Sequence, residues 1–305
     1  MKKFIVKSVL FFCLLAVVFF AIALNYQRTI NRETDYIAAI IDKHQRLNSI
    51  PENRLILIGG SNLPFGIDSK MLSDSLQTNA INMGLHAGLG LKFMLNEVKP
   101  SIKKNDVIVL CLEYPLYLND AKTDVDLIDY TQEIYPPAQA YHQFNAKEKL
   151  LVYYNKFEKT FNKKEEVTNE VFNRKQFNPY GDNIGHLNKP NEKVLKNKEP
   201  IGQIEISESL VLIKDFNDLV NQRGAKLLIS YPAYERTEFI KNKSKLIELD
   251  QELKENLSQI TFLNSPETFA FESDYFYDTV YHLNGKGREM RTRIFLAQLK
   301  DFIKP

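Results

Sequence analysis

The stretch Arg54-Leu55-Ile56-Leu57-Ile58-Gly59-Gly60-Ser61-Asn62-Leu63-Pro64-Phe65-Gly66-Ile67-Asp68 decides how the rest of the chain is read. Leu55 to Ile58 is a short apolar run, too short for a helix and stopped by two glycines. Such a run reads as a strand buried on both faces, as in a parallel sheet. Gly59 and Gly60 permit a tight turn with close backbone approach. Ser61 sits on that turn, and Asp68 is placed to cap a helix over Ser69–Leu76. A serine at the carboxyl end of a parallel strand stands where open α/β sheets place ligands and chemistry. A plain strand-to-helix turn or a phosphate loop would use similar residues. The stretch lacks, however, the Gly-Lys-Ser/Thr ending of a P-loop and the Gly-x-Gly-x-x-Gly of a dinucleotide site.

Working outward, the same rhythm repeats. Asn79–Asn82, Val107–Leu112, Lys226–Ser230 and Ile260–Leu263 are further short apolar strands. Helical spacing is present over Leu89–Val98, Glu205–Asn221, Lys243–Leu257 and Gly287–Phe302. This alternation predicts an α/β fold, a three-layer, doubly wound, five-stranded parallel sheet of flavodoxin-like order, with right-handed crossovers. The domain runs over residues 53–305 and is interrupted at about 114–200 by an insertion, partly helical at Lys147–Phe161. Within the insertion, Phe177-Asn178-Pro179-Tyr180-Gly181-Asp182 reads as a turn-rich loop. Lys163-Lys164-Glu165-Glu166 mixes charges as a solvated surface does, with a polyanion-binding face as the lesser alternative. No internal repeat is visible.

The chain has 305 residues, 26% charged and 44% hydrophobic, ordinary values for a globular protein. A net charge of +2 and the absence of zinc-finger or RNA-binding signatures give no indication of nucleic acid. Residues 1–32 depart from this composition. Lys2, Lys3 and Lys7 precede the charge-free run Ser8 to Leu24, and with Lys7 snorkelling to the head groups Phe4 to Leu24, about 20 residues, is enough to cross a hydrocarbon core of about 30 Å. The run predicts a single-pass anchor with the amino terminus in the cytoplasm and the domain periplasmic or extracellular. Ala21-Ile22-Ala23 resembles a signal-peptide cleavage site, but the run is longer than the usual signal core. Residues 33–52 then form a stalk or first helix. Cys13 and Cys111 form neither a disulfide framework nor a metal-ligand spacing and read as packing residues. His44 and His142 read as surface or packing residues.

A second informative stretch follows the last predicted strand: Tyr275-Phe276-Tyr277-Asp278-Thr279-Val280-Tyr281-His282-Leu283-Asn284-Gly285. A nucleophilic serine needs a base within hydrogen-bond reach, and the base needs a partner that sets its tautomer. His282 is a candidate base and Asp278 its partner, on the same edge of the sheet as Ser61. Alternatively His282 caps the final helix or packs among tyrosines.

With these blocks the chain resembles the SGNH/GDSL hydrolase family over most of Leu55 to about Arg293, leaving the insertion outside the pattern. Gly59-Gly60-Ser61-Asn62 resembles the first block, with the serine as nucleophile. Asn82-Met83-Gly84 resembles the second, whose glycine gives an N–H to the oxyanion hole beside that of Ser61. Asp278 to His282 resembles the last, carrying acid and base. The anchor, the ending and the Tyr-Gly-Asp of the insertion are similar to membrane-anchored bacterial members associated with cell-surface polysaccharides. There are two departures. The third block, Gly-x-Asn-Asp in the family, reads Cys111-Leu112-Glu113-Tyr114 here, which puts Glu113 near an oxyanion donor's position although a carboxylate donates no hydrogen bond. The last block has Asp-x-x-x-His in place of Asp-x-x-His.

The resemblance implies a serine esterase or O-acetyltransferase without cofactor or metal. Its partners would be an acylated glycan or other ester, the membrane, and a multi-pass membrane acyltransferase. Asn62, His86, Glu113, Tyr114, Asp182 and His186 are candidate substrate-binding residues. The competing expectation is a catalytically weakened domain that binds glycan or scaffolds an envelope polysaccharide assembly.

Overall fold

A computed structural model of the chain describes residues 1–119, 123–162, 169–198 and 200–303. The expectation of a solvated surface at Lys163–Glu166 lies outside the described residues. In chain order the elements are α1 (Lys2–Asn25), α2 (Ala39–Ser49), β1 (Arg54–Ile58), α3 (Ser69–Leu76), β2 (Asn79–Asn82), α4 (Gly90–Val98), β3 (Val107–Leu110), α5 (Val125–Ile134), α6 (Ala146–Phe161), α7 (Ser207–Gln222), β4 (Lys226–Ile229), β5 (Tyr234–Glu235), α8 (Arg236–Asn256), β6 (Thr261–Phe262), β7 (Ala270–Phe271) and α9 (Gly285–Leu299).

Five strands form one all-parallel sheet in the order β2-β1-β3-β4-β6. Strand β1 lies inside the sheet, between β2 and β3, and every residue in it is buried. Leu55, Ile56, Leu57 and Ile58 are buried, each such side chain stabilising by about 1.5–3 kcal/mol. Arg54, also buried, ion-pairs with Asp106 and donates to the Leu47 and Ser101 carbonyls at 3.0 and 2.6 Å. The chain moves from β1 outward to β2 and then back past β1 to β3, so the winding reverses between β1 and β3. Right-handed crossovers then put α3 on one face and α4 and α7 on the other. Consistent with this, α3 packs on α9 and α4 on α7.

The register Leu57↔Asn82 and Ile58↔Leu110 aligns the carboxyl ends of β2, β1 and β3. The turns after them, carrying Gly84, Ser61 and Glu113, therefore meet at the switch point, where doubly wound sheets form their crevice. Asp68 caps α3 by accepting the Met71 N–H at 3.0 Å.

Three elements were not expected from sequence: helix α5 in the insertion, capped by Asp124, and strands β5 and β7, which form a small parallel pair. Between the stalk and first-helix readings, the structure has a helix: Ala39, Ile40 and Leu47 of α2 are buried in the core. His44 packs there too, 3.0 Å from Glu97 and stacked on Tyr135. Among the described residues one helix, α1, is long and apolar enough to cross a membrane.

Candidate active site

Ser61, His282 and Asp278 converge at the carboxyl edge of the sheet from positions more than two hundred residues apart. The His282 Nε2 is 2.8 Å from the Ser61 Oγ, and its Nδ1 is 2.8 Å from Asp278 Oδ1. A carboxylate accepts only, so Asp278 sets the proton on Nδ1 and leaves Nε2 as the acceptor for the serine hydroxyl. The Phe65 ring lies flat against the imidazole, centroids 4.2 Å apart and planes 10° apart. Asp278 and His282 are buried, whereas Ser61 is half-buried and reachable. The longer Asp-x-x-x-His spacing is absorbed locally. The Thr279 hydroxyl accepts the N–H groups of Tyr281 and His282 at 3.2 and 3.0 Å, winding the segment into a turn that faces the two side chains. The insertion braces the same turn from outside, with the Lys196 N–H donating to the Asp278 carbonyl at 2.9 Å.

Glu113 is turned beneath Ser61. Its carboxyl oxygens accept the Gly60 N–H at 3.2 Å and the Asn62 N–H at 3.0 Å, the two amides flanking Ser61. A Cβ at Gly60 would come within 2.4 Å of Glu113 Oε2, so only glycine admits this clamp. Among the described residues Glu113 has no ion-pair partner, and the Ser61 N–H has no protein acceptor. Asn62 is locked from the other side. Its amide donates to the Cys111 carbonyl at 3.0 Å, and Arg291 from α9 donates to its backbone and side-chain oxygens at 2.9 and 3.1 Å.

The Gly84 N–H donates to Asn82 Oδ1 at 3.1 Å. Asn82 in turn donates to Asp182, a buried carboxylate that also accepts from the Ser69 N–H at 2.9 Å, the Ser69 hydroxyl at 2.5 Å and Arg288 at 3.0 Å. Lys43 of α2 closes the network, donating to the Asn82 and Gly181 carbonyls at 2.8 and 2.6 Å, and its burial lowers its pKa to about 7.

Of the candidate substrate-binding residues, Asn62, Tyr114, Asp182 and His186 have no exposed surface. Asn62 and Asp182 serve as scaffold. Tyr114 packs between Tyr231 and Tyr234. His186 lies against Phe65 and Tyr277, and its burial lowers its pKa to about 3. Glu113 is buried in the clamp. His86 alone is exposed. Its Nδ1 accepts the Gly88 N–H at 3.0 Å, which leaves Nε2 as a donor when the ring is neutral. Desolvation lowers its pKa against the opposing pull of Glu113 and Asp124. Arg288, Arg291 and Lys43 went unnoticed in the sequence; the available signal was basic residues at inward positions of otherwise apolar helical faces.

Among the described residues no cluster of three His, Cys, Asp or Glu side chains is arranged to hold a metal. A polar groove lined by Asn53, Lys103, Asn105 and Lys226 lies at the opposite, amino end of the strands, away from Ser61. In comparisons with known proteins, no family model and no curated protein matches the chain.

Proposed function

We propose that the chain is a membrane-anchored serine esterase or O-acyltransferase of the SGNH/GDSL type, acting on ester groups of cell-envelope or exported polysaccharide. The observation that carries this reading is the relay from Ser61 through His282 to Asp278, with both links at 2.8 Å. In the proposed reaction His282 Nε2 takes the Ser61 proton as Oγ attacks the ester carbonyl. The imidazolium, steadied by Asp278, then protonates the leaving alcohol, giving an acyl-serine. Water or a sugar hydroxyl, deprotonated by the same histidine, completes hydrolysis or transfer. The Ser61 N–H is the donor open to the oxyanion. The Gly84 N–H, held by Asn82, joins it only by sharing or leaving that bond. The glycan as substrate, and a multi-pass acyltransferase as partner, rest on the sequence resemblance. The anchor rests on α1, and the lysines before it favour a domain outside the cytoplasm.

Labelling with a serine-reactive fluorophosphonate tests the reading without knowledge of the substrate. Wild type should label and Ser61→Ala should not; labelling that survives Ser61→Ala refutes the nucleophile. A second reading, glycan binding with weakened turnover, is favoured by one specific observation: Glu113 stands where the family has an oxyanion donor. Removing one such donor costs about 100- to 1000-fold in other enzymes. Retention of glycan by a protein that never labels would support it.

A further inference from the structure

The insertion carries a helix whose exposure is unusual for its composition. On α6, Leu150, Leu151, Tyr154 and Phe161 are between 44% and 66% exposed. At about 100° per residue these four share one side of the helix with Tyr153 and Phe157, an arc of about 160°. Lys147 and Glu158 are the charged residues in that arc, and a long lysine stem can carry its charge to water. Phe157 packs on Phe19 at 4.9 Å and Tyr153 on Phe20 at 5.4 Å. The exposed stripe is thus continuous with the face that holds α1. The opposite side of α6 is satisfied by the domain: Val152 is buried, Lys156 pairs with Asp129 and Glu133 at 3.1 and 2.9 Å, and Lys159 pairs with Asp126. The same three acids hold Arg28, just past α1: Asp126 at 2.5 Å, Asp129 at 2.7 Å and Glu133 at 3.4 Å. Anchor, α5 and α6 are therefore locked at a common height.

That height can be estimated. Phe19 and Phe20 precede Leu24, the last apolar residue of α1, by five and four residues. At about 1.5 Å per residue this places them about 6–7.5 Å inside the apolar boundary. Amphipathic helices lying in the membrane interface bury their apolar face about 5–10 Å. We propose that α6 lies in the plane of the bilayer surface, on the leaflet at the domain's side, with Leu150, Leu151, Tyr154 and Phe161 covered by lipid. The insertion thereby seats the domain, and with it the Ser61 edge, at a set angle to the membrane. This inference rests on α1 being a membrane span.

The chain contains no tryptophan, so Tyr154→Trp introduces a single reporter in the full-length protein. Reconstituted in phosphatidylcholine vesicles brominated near the headgroup, Tyr154→Trp should lose most of its emission. It should lose less with bromines near the chain ends and resist aqueous iodide. Leu14→Trp in α1 should be quenched chiefly by the deep bromines, and Val211→Trp on α7 by iodide alone. Phe161→Trp repeats the measurement should Tyr154→Trp fold poorly. If Leu14→Trp reports lipid while Tyr154→Trp reports water, the anchor stands and the seating of α6 is wrong. Shielding of Tyr154→Trp from both bromine and iodide would mean that protein covers the stripe, which also overturns it. A Leu14→Trp that bromine never quenches removes the anchor and the inference together.

Discussion

In the proposed reaction Ser61 and His282 would act as one unit, because a serine hydroxyl is a poor nucleophile until a base such as Nε2 accepts its proton. Ser61→Ala and His282→Ala should each abolish fluorophosphonate labelling and ester turnover, and the double variant should be no worse than either. Asp278→Asn should retain a residue of activity, since it disturbs the tautomer and leaves the base in place. Glu113 invites a different expectation. Asparagine, the residue in the matching block of the family the chain resembles, is one methylene shorter and cannot reach both the Gly60 and Asn62 amides. Glu113→Asn should therefore lower the melting temperature, by the equivalent of about 1–3 kcal/mol for an orphaned buried donor, and slow labelling as the Ser61 turn loosens. Faster labelling at unchanged stability would show that the carboxylate had been opposing the oxyanion. His186 makes a pH prediction. Its pKa is about 3 in the fold and near 6.5 in the unfolded chain, so between these values the unfolded state binds the extra proton. Stability should fall as pH drops through that window, by about 1.4 kcal/mol per pH unit for one proton. His186→Phe should flatten this limb in denaturant titrations at stepped pH; an unchanged slope would assign the acid sensitivity elsewhere.

Between elements, the decisive ties are polar and buried. Asp182 joins the start of α3, the end of β2 and the inner face of α9, three elements that position Ser61, Gly84 and His282 respectively. Its removal would strand Arg288, Asn82 and Ser69 at once. Breaking one buried charge pair in this way costs about 3–5 kcal/mol, so Asp182→Ala in the detergent-solubilised full chain should lower the denaturation midpoint sharply. A midpoint within error of wild type would mean that Lys43 and Asn178 hold the loop unaided. The same network explains why a substrate role for Asp182 does not fit: its oxygens are already engaged and closed from solvent.

Across the whole molecule, the segment just past α1 is tied to the insertion by ion pairs, from Arg28 through the acids of α5 to Lys156 and Lys159 of α6. Lysines ahead of α1 predict that everything beyond it leaves the cytoplasm. A reporter that works only after export, such as alkaline phosphatase, should be active at the carboxyl terminus, and a green fluorescent protein fusion exported through the general secretory route should stay dark. The reverse pattern would invert the topology and put a polysaccharide outside the cell beyond the reach of Ser61.

The sequence by itself determined the five parallel strands, most helices and the edge on which the two informative blocks meet. Those features depend on periodicity and turn residues within a few positions of one another: Leu55–Ile58 against Gly59-Gly60, or Asp68 ahead of Ser69–Leu76. The pairing of β5 with β7 and the capped helix α5 escaped notice because two-residue strands and a lone Asp cap carry little local signal. Only the tertiary structure decided which way Glu113 points, what Asn62 and Asp182 are for, and where α6 rests. Each of these depends on a partner far along the chain: Glu113 on amides 51 and 53 residues away, Asn62 on Arg291, and Tyr153 and Phe157 on α1. A charge at one position does not announce whether water or a distant side chain will satisfy it. That choice follows from desolvation once the elements have packed.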